Sequence, residues 1–193
     1  IIVFILLYAF SEYCVADTPI QSENITPKVH AIYLVPSDVT PRTNLPIALT
    51  AASQNLQIWY SRELNNGKTF LLTDPAVETI ISTHDTSWFL SGNNYTNNLW
   101  LNSIKEAGAG FDTLTTYVIY LEVENGQQSV GGSGGSGKGG VALLPQHDIT
   151  GLLNIQDKPT NICRWVGGLG HELGHALALS HPPTSSCSNP PNT

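Results

Sequence analysis

Apolar positions along the chain follow two kinds of repeat. Val29 to Val35 (VHAIYLV) is a β-branched and aromatic run closed by Pro36, and it predicts a strand. From Leu45 to Leu64 the apolar residues Leu49, Ala52, Leu56, Trp59 and Tyr60 recur at helical spacing. An amphipathic helix is expected there, ended by Asn65-Asn66-Gly67. Lys68 to Leu72 reads as a second strand, residues 75–83 as a short helix and residues 84–95 as a loop. Asn97 to Ala107 carries Leu99, Leu101 and Ile104 and predicts a second helix. Thr115 to Val123 (TTYVIYLEV) is the strongest strand signal in the chain. The resulting order β, α, β, α, β implies an α/β (α+β) layer with a twisted, mostly parallel sheet backed by helices. Val130 to Gly140 (VGGSGGSGKGG) reads as a flexible loop leading into a short strand, Val141 to Leu144. The loop approaches a phosphate-binding pattern, but Gly139 stands where a Ser or Thr must bind magnesium.

Composition narrows the setting. The 193 residues carry 8 Lys+Arg against 15 Asp+Glu, a net charge of −7, and only 12% of residues are charged. No basic stripe is available to neutralise phosphates, so nucleic acid is not an expected partner. An apolar share of 41% is too high for a disordered chain, and the length suits one domain. Methionine is absent. Ile1 to Phe10 (IIVFILLYAF) is too short to span a bilayer and matches the apolar core of a secretory signal. Residues 1–16 are therefore expected to be a signal remnant cleaved after Ala16, leaving 17–193 as one domain that opens with a polar lead-in over 17–28. A secreted monomer without lasting membrane association is the expectation. Cys163 and Cys187 would then form one disulfide, closing a loop of about 25 residues worth about 3 kcal/mol. Asn24 and Asn94 stand in glycosylation sequons.

The chemistry is concentrated in Gly167 to His181, GGLGHELGHALALSH. His171 and His175 are one helical turn apart, so a helix presents both on one face, suited to grip one metal ion. Glu172 lies about 100° further round, placed to reach a metal-bound water rather than the metal. Leu169, Leu173, Ala176 and Leu177 can pack the helix on a core, while Gly170 and Gly174 permit close neighbours. The other histidines, His30, His84 and His147, are isolated; His147-Asp148 could bind a second ion, but Pro145 and turn-like flanks favour a loop pair. Arg164 and Trp165 are expected to anchor the helix start.

His171, Glu172, His175 and His181 resemble the metzincin zinc endopeptidases, whose motif is HExxHxxGxxH. The resemblance implies one zinc ion held by His171, His175 and His181, with Glu172 as general base for peptide hydrolysis. It also implies a peptide or protein substrate that pairs with an edge strand of the sheet. Val141, Ala142, Leu143 and Leu144 look like that edge. Two departures stand out. Ala178 occupies the position of the glycine that turns the chain toward the third ligand, and the turn strains an alanine if it is left-handed. The methionine turn of the family has no counterpart, so a C-terminal subdomain is expected to lie beyond this chain. No Glu or Asp follows Glu172, so His181 is the remaining candidate for third ligand. Two other readings keep the same residues: a non-catalytic zinc-binding domain, and a zinc hydrolase acting on a non-peptide substrate.

Overall fold

The structure is a computed structural model, and it describes residues 26–64, 67–91, 95–111, 114–124, 131–134, 139–153 and 162–181. The strands are β1 (Lys28–Val35), β2 (Leu71–Ile81), β3 (Thr115–Leu121), β4 (Gly131–Gly134) and β5 (Gly140–Leu144). The helices are α1 (Leu45–Glu63), α2 (Thr86–Phe89), α3 (Tyr95–Glu106), α4 (Gln146–Leu152) and α5 (Ile162–Ala176). The strands form one sheet in the order β2-β1-β3-β5-β4, with every neighbouring pair parallel except β5 and β4. The α/β class and the mostly parallel sheet agree with the sequence pattern.

Helices cover both faces of the sheet, which explains why β1 and β3 are apolar almost throughout. Val29, Ala31, Tyr33 and Val35 of β1 face one core together with Leu45, Leu49, Ala52, Leu56 and Tyr60 of α1. Trp165, Leu169, Leu173 and Ala176 bring α5 into the same core, spaced as one stripe of a helix. Ile32 and Leu34 point the other way, into a second core with Phe89 and Leu99 from α2 and α3. Alternate residues of one strand thus feed two layers.

Five local expectations are corrected. The segment 84–95, expected as a loop, holds the one-turn helix α2, started by Asp85, whose side chain accepts from Trp88 N–H. Residues 75–83 do not form a helix, because Val77 to Ile81 pair with Ala31 to Val35 and extend β2 to Ile81. The pairing is irregular between Val29 and Ala31, which accommodates the Thr73-Asp74-Pro75 interruption on this edge strand. Part of the glycine-rich loop is β4, held antiparallel to β5 from Gly131↔Leu143 to Gly134↔Gly140. Val141 to Leu144 are therefore not at the edge: β5 lies inside the sheet and β4 forms the edge. His147 and Asp148 sit in the first turn of α4 rather than in a loop, since Pro145 caps that helix in extended conformation.

A buried ionic network ties the carboxyl ends of the central strands together. Glu122, 1% exposed, follows β3 and accepts hydrogen bonds from Tyr33 Oη (2.6 Å), Arg42 Nε (3.0 Å) and Gln146 Nε2 (2.9 Å). The Arg42 Nη2 atom is a further 3.0 Å contact. The start of α4 and the segment before α1 are thereby fixed to β1 and β3. Burial pushes the Tyr33 phenol well above its ordinary value, and the neighbouring Glu122 adds to the shift.

Candidate metal centre

Helix α5 carries the first two candidate ligands and fixes their spacing. It approaches α1 closely because Gly170 and Gly174 face it. A Cβ on Gly170 would lie 2.8 Å from Leu56 Cδ2, and Tyr60 Oη donates to the Gly170 carbonyl at 2.9 Å. Packing therefore explains the two glycines that weaken the helix on propensity alone.

The helix ends in a turn that swings the chain back toward its own histidines. Ala178 has φ of +65°, in the left-handed region. Leu179 N–H donates to Gly174 O at 2.9 Å and Ala178 N–H to His175 O at 2.9 Å. These two bonds make a Schellman cap, in which the left-handed position normally belongs to glycine. The turn brings His181 beside His171 and His175. The three Nε2 atoms lie 3.2 Å (171–175), 3.0 Å (175–181) and 3.3 Å (171–181) apart.

That spacing can be tested against a metal. Four-coordinate zinc with Zn–N bonds of about 2.0–2.1 Å holds its nitrogens about 3.4 Å apart. The three donors meet this requirement to within a few tenths of an ångström. Imidazole nitrogen also suits zinc chemically. The tautomer of His175 is fixed as well, because its Nδ1–H donates to Leu179 O at 3.0 Å and leaves Nε2 as the donor atom. The backbone turn that positions His181 thus also orients His175. Among the described residues, His171, His175 and His181 are the one group of three or more His, Cys, Asp or Glu side chains arranged for a metal ion.

Glu172 is partly buried on α5. Its charge is felt by Asp148, a carboxyl only 5% exposed whose Oδ2 has no hydrogen-bond partner. Burial, and then repulsion from Glu172, push Asp148 up to about 7. Asp148 is a neighbour of the centre that sequence reasoning did not assign to it. Its only signal there was the adjacent His147-Asp148 pair, which does not join the metal-binding group. A groove of about 830 Å³ opens beside the triad, lined by Trp59, Tyr60, Leu64, Ile162, Val166 and Leu179 with the three histidines along one wall.

Other expected residues fall elsewhere. Cys163 is exposed in the first turn of α5, and its expected disulfide partner lies outside the described residues, so the structure lends that bond no support. Cys187, the sequons Asn24 and Asn94, and residues 1–16 lie outside the described residues. His30 bridges Thr73 and Glu78, while His84 stacks on Trp88 at 3.9 Å, both away from the triad. Trp165 is buried as expected at the start of α5. No described helix is long and apolar enough to cross a membrane.

No protein-family model matches the chain, and no curated protein matches it. Solved structures do. Wild-type OgpA from Akkermansia muciniphila superposes with TM-scores of 0.51 and 0.55 in two crystal forms, at 17% and 16% identity. Catalytically inactive OgpA in complex with an O-glycopeptide substrate, glycodrosocin, gives 0.51 at 16% identity. The matches cover 82–83% of this chain and 50–52% of OgpA, so the chain spans about half the length of that protein. At this identity the likeness is one of fold.

Proposed function

We propose that this chain carries the active centre of a secreted zinc-dependent endopeptidase. The observation that carries the reading is the convergence of the His171, His175 and His181 Nε2 atoms within 3.3 Å of one another beside Glu172. Three protein ligands leave a further position for water or substrate, the pattern of catalytic rather than structural zinc. When bound, zinc supplies Lewis-acid chemistry, polarising a carbonyl and lowering the pKa of water. Glu172 accepts the proton of the attacking water on its carboxylate and returns it to the leaving amine. His175, locked by Leu179 O, and His181, placed by the Ala178 turn, keep the donor set in position. β4 forms the edge of the sheet among the described residues, and a sheet edge is where an extended peptide can add as a further strand.

The OgpA complex shows a protein of similar fold with a glycopeptide substrate, which supports a peptide as the class to test first. The test is hydrolysis of one peptide in plain and O-glycosylated form by the full-length protein, with chelator and zinc re-addition. Cleavage that chelation abolishes and zinc restores is expected. Stoichiometric zinc with neither peptide cleaved would favour a binding domain or a non-peptide substrate.

A further inference from the structure

Ala178 stands at the one junction through which the third histidine reaches the other two. We propose that Ala178 is a positioning residue that tunes metal retention: its left-handed backbone is a strain carried by the metal-bound arrangement and relieved when His181 lets go. The inference rests on the zinc reading given above.

The observations are geometric. Ala178 is the one non-glycine residue with positive φ among the described residues, at +65°. A side chain at that φ meets the following carbonyl, an effect glycine escapes. Leu177 before it packs on the core, but Ala178 and the residues after it, Leu179, Ser180 and His181, are all exposed, so among the described residues little packing holds the far side of this turn in place. What defines it is local: the two Schellman bonds at 2.9 Å and the His175 Nδ1–H bond to Leu179 O at 3.0 Å. Helix ends fray readily. If Ala178 relaxes to negative φ, Leu179 and His181 swing away together. The carbonyl that orients His175 then leaves with the third ligand. One torsion therefore controls two of the three ligands. Glycine in the same place would hold the same turn without the opposing strain.

The test compares zinc binding by wild type, A178G and A178V in the full-length protein. The readouts are competition with a chromophoric chelator, dissociation rate, and thermal unfolding with and without zinc. Removing a left-handed alanine is expected to tighten zinc roughly five- to thirtyfold in A178G, mainly through slower dissociation. A178V, whose branched side chain tolerates the region less, should lose zinc faster than wild type. In chelator, A178G should melt no higher than wild type, because the turn is then free to relax. The proposal is overturned if wild type and A178G hold zinc equally and A178G melts higher by the same amount with and without metal. The strain would then belong to the fold alone. Absence of zinc binding by wild type would instead overturn the zinc reading itself, and this inference with it.

Discussion

Gly151 and Gly168 accept the same substitution with opposite expected signs, which tests how the metal-bearing helix is seated. Gly151 lies in α4, where a Cβ would fall inside the indole ring of Trp165 from α5. That ring is held on several sides. It is 5% exposed, the His147 ring meets it edge-on at 4.9 Å, and the Arg164 guanidinium lies 5.1 Å from it. Gly168 lies in α5, and a Cβ there meets nothing within 4 Å. Alanine gains about 1 kcal/mol of helix propensity over glycine at either site. At Gly168 that gain stands alone, so G168A should stabilise by up to about 1 kcal/mol. At Gly151 it is opposed by overpacking of about 1–3 kcal/mol. The propensity term cancels between the two variants, which leaves G151A about 1–3 kcal/mol below G168A. For a domain of this size that is about 2–12 °C in Tm. Thermal unfolding by circular dichroism, with zinc affinity measured alongside, is the assay. G151A melting at or above G168A would refute the packing of α4 on α5 described here.

Two further outcomes follow from the buried charges. R42A should cost about 3–5 kcal/mol, because it leaves the Glu122 carboxylate buried without its cation, and adding E122Q should recover part of that loss. An R42A cost below about 1 kcal/mol in chemical denaturation would contradict the network. Asp148 holds its proton up to about 7 in the folded chain against an ordinary 3.8. The folded state thus binds a proton that the unfolded state has released, and stability falls as pH rises between those values. In the metal-free protein, D148N should remove that part of the slope and gain on wild type across the window, levelling off above it. Parallel stability–pH curves for the two proteins would show that Asp148 is not the source.

The candidate centre was legible because it is local. His171, Glu172, His175 and His181 fall within one helix and the turn that ends it, so helical geometry and a glycine-like turn suffice to predict their meeting. The strain expected for an alanine in that turn appears as the positive φ of Ala178. The two long helices and the central strands were legible for a similar reason: each carries its own periodicity over enough residues. What escaped depends on partners distant in sequence. Val77 to Ile81 are β because β1 pairs with them, although Pro75 breaks the run. β4 consists of glycines and one serine with no strand preference, and backbone pairing to β5 decides its state and its place at the edge. Asp148 acquires its environment from α5 and β3, far along the chain.

The most direct measurement is zinc content and peptide turnover of the full-length protein, wild type beside E172Q. One zinc per chain in both, with turnover in wild type reduced at least a hundredfold in E172Q, is the result predicted for a triad that holds the metal and a glutamate that moves the proton. Undiminished turnover in E172Q, or wild-type protein that binds no zinc, would contradict the account.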